Sequence, residues 1–198
     1  MDNTKIVGAN PEHGRRANDY YPTPPEVTLA LLKFLKIKQG ATLWEPACGT
    51  GLMMNVMATS GYNVIGTDIL SGMDFLTCDP VKCDWIITNP PFSHAEQFIR
   101  RAEELNVPFA FLLKSQYWHA ARRTKLFQEI TPTYVLPLTW RPDFTGQGAS
   151  LMDMCWCVWG NEVAKTCSYL PLEKPDINFA EHGGKQIAWN KFDGTKEG

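Results

Sequence analysis

The feature of this sequence that most constrains its fold is the alternation of short apolar segments with segments of helical periodicity. Trp-Ile-Ile-Thr at 85–88 and Phe-Ala-Phe-Leu-Leu at 109–113 are apolar runs of strand length. Short connections join them to the helical segments, which favours βαβ units and a mainly parallel sheet. The pattern predicts strands at 41–45, 63–68, 85–88, 109–113, 134–138 and 152–159, with an edge strand at 72–76. It predicts helices from a cap at Thr23 to a stop at Gly40, and at 52–59, 95–105 and 120–130.

Length and composition favour a single globular domain. The chain has 198 residues, of which 44% are hydrophobic and 20% charged, as is ordinary for such a domain. We expect a flexible arm at 1–19, the main domain at 20–160 and a polar C-terminal extension at 161–198. A net charge of −2 excludes a globally basic nucleic-acid binder but not a local basic face.

The cysteines and the apolar runs bear on location and partners. The six cysteines do not repeat zinc-site spacings and the four histidines are scattered, so we expect reduced cysteines and no metal site. Reduced cysteines indicate a cytoplasmic protein. No apolar run approaches the length that spans a bilayer, so no membrane partner is expected. The sequence leaves the oligomeric state open between a monomer and a weak dimer.

The segment Asn89-Pro90-Pro91-Phe92 follows the predicted strand 85–88. Prolines end a strand abruptly, and open α/β sheets bind ligands at the carboxyl ends of their strands. Both proline carbonyls are expected to be free there. The Asn89 Oδ1 atom and the Pro90 carbonyl can accept two N–H bonds from an exocyclic amine while Phe92 stacks on its ring. The alternative is a structural turn with a buried phenylalanine.

A second group of residues suits a nucleoside ligand. Glu45 and the glycines Gly49 and Gly51 lie between a predicted strand and a helix, where glycines allow close backbone approach. The phosphate-loop pattern is missing, and an acid at this position favours a cationic ligand instead. Asp68, at the end of the next strand, is placed to bind a ribose diol. Asp74 can accept from an adenine amino group, and the ring of Phe75 can flank the base. The alternatives are a plain tight turn and solvated loop acids.

Taken together, these motifs resemble the S-adenosylmethionine-dependent DNA N6-adenine methyltransferases of small phage and prophage type. Residues 45–51 resemble the glycine-rich cofactor motif of that family, and Tyr21-x-Thr23-Pro24 resembles its N-terminal cofactor motif. Asn89-Pro90-Pro91-Phe92 matches the catalytic motif. The resemblance implies a Rossmann-like α/β fold with a seven-stranded sheet, mostly parallel, whose final strand at 152–159 is antiparallel. It covers about residues 20–160, and no separate target-recognition domain is expected.

The resemblance also implies roles for individual residues, and the cofactor it implies is S-adenosyl-L-methionine. The catalytic residues would be Asn89, Pro90, Pro91 and Phe92. The cofactor-binding residues would be Tyr21, Thr23, Pro24, Glu45, Ala47, Cys48, Gly49, Gly51, Asp68, Ile69, Asp74, Phe75 and Asn89.

The implied reaction is direct methyl transfer to N6 of adenine in DNA. Acceptors at Asn89 and Pro90 would favour a pyramidal nitrogen with its lone pair aimed at the methyl group. Because the amine is unreachable inside a duplex, the base would be flipped out onto Phe92. Similar motifs occur in enzymes that methylate an RNA amino group or a protein glutamine amide, which is the alternative. A non-enzymatic DNA-binding module is a third hypothesis.

DNA as a partner requires cations near the site. Basic and aromatic side chains follow the predicted strand 109–113 and suit splayed nucleic acid. The predicted DNA contacts are Lys114, Tyr117, Trp118, Arg122, Arg123 and, in the loop before the last strand, Arg141. Gln147 in that loop could read adenine, and Arg15 and Arg16 in the arm could add backbone contacts. The alternative for the main group is a solvated helix face beside core aromatics.

Overall fold

In a computed structural model, residues 22–146, 148, 152–160 and 164–176 are described. They contain one seven-stranded sheet in the order β2-β1-β3-β4-β6-β5-β7. Its strands are β1 Thr42–Glu45, β2 Asn63–Gly66, β3 Trp85–Thr88, β4 Phe109–Lys114, β5 Tyr134–Pro137, β6 Met154–Trp159 and β7 Ser168–Tyr169. Strands β2, β1, β3 and β4 pair in parallel, whereas β6 is antiparallel to both β4 and β5. The predicted mostly parallel α/β fold with an antiparallel final large strand is confirmed.

Four α-helices in the described residues cover the two faces of the sheet. They are α1 Pro25–Leu35, α2 Leu52–Thr59, α3 Ala95–Glu104 and α4 Thr124–Glu129. Helices α1 and α2 pack with one core cluster, and α3 and α4 pack with the other. Every residue of β4 except its last is fully buried, because this central strand is covered on both faces. The resulting three-layer arrangement leaves the strand ends as the surface available for ligands. No helix in the described part is long and apolar enough to cross a bilayer.

Two helix predictions differ from the structure at their ends. The first helix begins at Pro25, and no side chain caps it, so the predicted cap at Thr23 is wrong. The helix ends at Leu35, and the next residue, Lys36, adopts a left-handed conformation with φ 48°. This end lies five residues before Gly40, where the sequence predicted the stop. The predicted helix 120–130 is divided into a 3₁₀ turn at Ala121–Arg123 and α4, and a separate 3₁₀ turn at Ser115–His119 precedes it.

The predicted edge strand at 72–76 is wrong. After β2, Asp68 caps a 3₁₀ turn at Ile69–Ser71, and the chain then makes turns until β3. The Phe75 side chain is buried in the core rather than lying in a strand. The seventh strand is instead β7, which pairs in parallel with β5 at the opposite edge and comes from the segment predicted as a polar extension.

Candidate functional site

The carboxyl ends of four neighbouring strands carry the predicted site residues. Glu45 is the last residue of β1, and Lys114 is the last residue of β4. Asp68 lies two residues beyond β2, and Asn89 directly follows β3. Because these four strands are adjacent and parallel, the four side chains belong to the same edge of the sheet.

A tight glycine turn joins β1 to α2. Gly49 and Gly51 have φ values of 50° and 79°, a region that residues with a side chain rarely adopt. The Gly51 N–H donates to the Cys48 carbonyl at 2.8 Å, and the Cys48 N–H donates to the Thr67 carbonyl at 3.0 Å. The turn is therefore tied both to itself and to the end of β2. Burial, helped by the charges of Glu45 and Asp68, raises the pKa of the Cys48 thiol.

Gly66 in β2 lies against this glycine turn. We call the group formed by Glu45, the glycine turn, Gly66 and Asp68 the cradle. A Cβ atom at Gly66 would collide with Met54 Sδ and would lie 3.2 Å from Cys48 Cβ. The missing side chain therefore lets the glycine turn and the first turn of α2 approach β2 closely.

Glu45 is a buried acidic residue whose carboxyl group needs a hydrogen-bond donor. Its residue is only 3% exposed, and its Oε2 atom has no hydrogen-bond partner among the described residues. Burial raises the pKa of this carboxyl well above its usual value, a backbone N–H at Met54 partly opposes the shift, and the charge of Asp68 adds to it. A buried acceptor of this kind is costly unless a donor is supplied, so the geometry suits a cationic ligand.

Asp68 holds backbone groups with both carboxylate oxygens. Oδ2 accepts from the Gly49 N–H at 2.8 Å, and Oδ1 accepts from the Leu70 N–H at 2.9 Å. Each oxygen keeps a second lone pair for a hydroxyl. The neighbouring Ile69 is 67% exposed and offers an apolar surface beside this carboxylate.

Asp74 and Phe75 differ in what they offer a ligand. Asp74 Oδ1 accepts from the Leu76 N–H at 2.9 Å within its own turn. The Phe75 ring is 1% exposed and packs between Trp44 and Phe98, with ring centroids 5.2 and 4.8 Å away. The ring is a core group, and its contact with a base stays a prediction.

The Asn89-Pro90-Pro91-Phe92 segment connects β3 to α3. The Pro91 carbonyl accepts from the His94 N–H at 2.9 Å, so the prediction that both proline carbonyls are free is wrong and Pro90 is the candidate acceptor. Pro90 itself is buried. The Asn89 Nδ2 atom donates to Thr23 Oγ1 at 3.1 Å, which leaves Oδ1 as the accepting arm of this amide.

The ammonium group of Lys114 lies over the ring of Phe92. Lys114 Nζ lies 4.1 Å from the ring centroid, within the range of a cation–π interaction. The ring is partly buried and packs against the core cluster on the α1 side. Among the predicted basic residues, Lys114 is therefore in contact with the Asn89-Pro90-Pro91-Phe92 segment.

The other predicted nucleic-acid residues have mixed environments. Tyr117 is buried, and Arg123 lies over its ring at 3.6 Å while donating to its carbonyl at 2.9 Å. Trp118 stacks on Phe127 with ring centroids 4.0 Å apart. These three side chains stabilise the segment between β4 and α4, and Arg122 is exposed.

Arg141 is exposed and already has an acidic partner. Its Nε donates to Asp153 Oδ1 at 2.7 Å, and this contact raises the pKa of the guanidinium. The described residues contain no cluster of metal-ligating side chains. The predictions for Tyr21, Gln147, Arg15 and Arg16 lie outside the described residues.

Sequence reasoning missed the contact between Thr23 and Asn89. Thr23 was assigned to a helix cap because it precedes Pro24 and an acidic first turn. A separation of 66 residues leaves no periodic signal for such a contact. The order of strand ends could place Asn89 at the site, but it could not place Thr23, which precedes α1, beside it.

Comparison with solved structures places the fold among methyltransferases. A protein from Listeria monocytogenes assigned to the class I S-adenosylmethionine-dependent methyltransferases has a TM-score of 0.56 and 17% identity over 81% of this chain and 68% of its own. A Vibrio vulnificus YJ016 protein assigned as the modification subunit of a type I restriction enzyme has a TM-score of 0.56 and 14% identity, over 82% of this chain. The chain spans about half of that subunit, 49%.

A dimethyladenosine transferase from Plasmodium falciparum shares the fold with a TM-score of 0.55 and 14% identity, over 70% of this chain and 62% of its own. No protein-family model and no curated protein matches the sequence. At these identities the comparisons establish the fold.

Proposed function

We propose that this protein is an S-adenosylmethionine-dependent methyltransferase that methylates N6 of adenine in DNA. One observation carries the proposal: the Asn89-Pro90-Pro91-Phe92 segment follows β3, and the neighbouring strand β1 ends on the buried Glu45 and the glycine turn. A stretch suited to an exocyclic amine therefore lies beside a cradle suited to a cationic nucleoside.

The residues of the cradle fit the cofactor. Glu45 Oε2 offers a buried acceptor for an ammonium group, and the ligand's charge would offset the cost of keeping this carboxylate ionised. Asp68 keeps lone pairs for ribose hydroxyls while it holds the Gly49 N–H. Exposed Ile69 supplies an apolar surface for a base. When bound, the cofactor would supply an electrophilic sulfonium methyl group.

The residues of the Asn-Pro-Pro-Phe segment fit the acceptor amine. Asn89 Oδ1 and the Pro90 carbonyl would accept its two N–H groups and orient the nitrogen lone pair toward the methyl group. Phe92 would stack on the flipped base. Lys114, which lies over that ring, would then contact a phosphate of the nucleic acid. The shared fold with a restriction-enzyme modification subunit and a dimethyladenosine transferase agrees with a nucleic-acid acceptor.

The proposal is tested by incubating purified protein and methyl-labelled S-adenosylmethionine separately with unmethylated DNA, RNA and protein acceptors. We expect label in DNA, recovered as N6-methyl-2′-deoxyadenosine after digestion to nucleosides. Asn89→Ala and Phe92→Ala should abolish transfer, whereas Phe92→Tyr, which keeps an aromatic face, should retain it. Full activity of both alanine variants would contradict the proposed mechanism.

The three acceptor arms separate the alternatives. Label confined to RNA, or to a protein glutamine, would replace the DNA assignment and keep the methyltransferase. Calorimetry that detects no binding of S-adenosylmethionine, together with no label in any arm, would favour a non-enzymatic DNA-binding module.

A further inference from the structure

The side chains of Thr23 and Asn89 are hydrogen-bonded although they come from distant parts of the chain. Asn89 Nδ2 donates to Thr23 Oγ1 at 3.1 Å, and Thr23 is only 4% exposed. Thr23 precedes Pro24 and Pro25, and a following proline restricts the backbone of the residue before it. The threonine hydroxyl is therefore held at a defined place beside the end of β3.

The orientation of the Asn89 amide decides what it can bind. An asparagine amide is planar, with an acceptor arm at Oδ1 and a donor arm at Nδ2. An amino group that presents N–H bonds can be held only by the acceptor arm. With the amide reversed, N–H groups would face N–H groups, and the amine would be repelled.

We propose that Thr23 is a positioning residue that sets the orientation of the Asn89 amide. In the observed orientation its hydroxyl oxygen accepts from Nδ2, so Oδ1 is the arm presented to the acceptor amine. Thr23 acts through Asn89 and need not touch the reacting atoms. The catalytic consequence rests on the proposed amino-methyl transfer, but the orientation itself is a property of the protein alone.

A pair of substitutions at this position tests the role of the hydroxyl. Thr23→Val keeps the shape and removes the acceptor, whereas Thr23→Ser keeps the acceptor. We expect Thr23→Val to lower kcat at least about tenfold. Thr23→Ser should restore most of kcat.

Thr28 provides a matched control on the neighbouring helix. It is also a fully buried threonine, and its Oγ1 has no hydrogen-bond partner among the described residues. Thr28→Val should leave kcat unchanged. Equal losses for Thr23→Val and Thr23→Ser, or an unchanged kcat for Thr23→Val, would overturn the proposal.

Substitution of the partner separates orientation from general support of the fold. Asn89→Asp replaces the amide with a carboxylate, which accepts on both arms and has no reversed state. In the Asn89→Asp background, Thr23→Val should therefore cost less than about threefold in kcat. If Asn89→Asp is itself inactive, the comparison of kcat between Thr23→Val and Thr23→Ser tests the proposal.

A measurement that does not depend on catalysis tests this proposal independently of the proposed function. In ¹⁵N–¹H correlation spectra, the Asn89 side-chain NH₂ signals are identified by their loss in Asn89→Asp. We expect them to shift in Thr23→Val and to stay in place in Thr23→Ser and Thr28→Val. Unmoved signals in Thr23→Val would refute the positioning role even if the enzyme is active. Shifted signals in a protein that transfers no methyl group would refute only the proposed function.

Discussion

The carboxylate of Asp68 accepts a hydrogen bond from the backbone N–H of Gly49 at 2.8 Å, so the end of β2 holds the glycine turn that follows β1. The other carboxylate oxygen holds the Leu70 N–H of the following 3₁₀ turn. One side chain therefore fixes two backbone segments beside the proposed cofactor cradle.

We predict that Asp68→Asn loosens both segments. An asparagine keeps one acceptor arm and turns a donor toward the second N–H, so one charge-assisted hydrogen bond is lost. The free energy of unfolding should fall by about 1–3 kcal/mol, and affinity for S-adenosylmethionine should fall as well. Urea denaturation and calorimetry measure the two effects. Asp153→Asn, which removes an exposed acid paired with Arg141, should change neither much.

The buried Glu45 should make stability depend on pH. Its folded-state pKa is raised well above 4.5 by burial. The folded state therefore holds the proton more tightly than the unfolded chain, and stability is lost as pH rises from about 4.5 toward the raised pKa. Glu45→Gln should thus stabilise the cofactor-free protein at pH 8, with a gain that shrinks toward pH 4.5. Denaturation across this pH range tests it, and a gain independent of pH would contradict it.

The same substitution should weaken cofactor binding. A glutamine cannot supply the negative charge that we assign to the ammonium group of S-adenosylmethionine. We expect the Kd to rise about tenfold or more, as for the loss of a charged hydrogen bond. Glu45→Gln would then be more stable alone and less stabilised by the cofactor, which thermal unfolding with and without S-adenosylmethionine can measure. Equal stabilisation of both proteins would argue against this contact.

Gly66 should be sensitive to the addition of a side chain. In Gly66→Ala the new methyl group displaces the flexible end of Met54 and lies 3.2 Å from Cys48 Cβ, so the glycine turn shifts by a few tenths of an ångström. Overpacking of this kind costs about 1–3 kcal/mol, and we expect weaker binding of S-adenosylmethionine in calorimetry. Gly160→Ala is the control, since its Cβ would lie 3.5 Å from Thr133 Oγ1, an ordinary contact. Equal behaviour of the two variants would contradict the prediction.

Lys114 should contribute to nucleic-acid affinity through a phosphate. Lys114→Met keeps an apolar group over Phe92 but removes the charge. Binding of DNA should weaken, and the slope of log affinity against log salt should decrease by about 0.7–0.9. Fluorescence anisotropy at several salt concentrations measures both quantities. Lys33→Met, at an exposed position of α1, should leave the slope unchanged. An unchanged slope in Lys114→Met would mean that the ammonium contacts no phosphate.

The elements with strong local signals were predicted to the residue. Helix α2 at Leu52–Thr59 and strand β3 at Trp85–Thr88 have the predicted bounds, because Gly51 precedes the helix and Gly61 and Pro90 follow the two elements within two residues. The errors at the end of α1 and in the segment after β4 arose where no glycine or proline marks the boundary of the element. The order of motifs along the chain also placed Glu45, Asp68 and Asn89 at strand ends, since strand ends follow directly from strand assignments.

The α/β class, the parallel strands and the chemical types at the carboxyl edge follow from local sequence patterns, because periodicity and turn residues are local properties. The partners of individual side chains and strands follow only from the three-dimensional packing. Phe75 lies in the core, β7 replaces the expected edge strand, and Thr23 binds Asn89. The direction of a side chain and the neighbour of a strand depend on contacts between distant segments, and such contacts leave no pattern along a single chain.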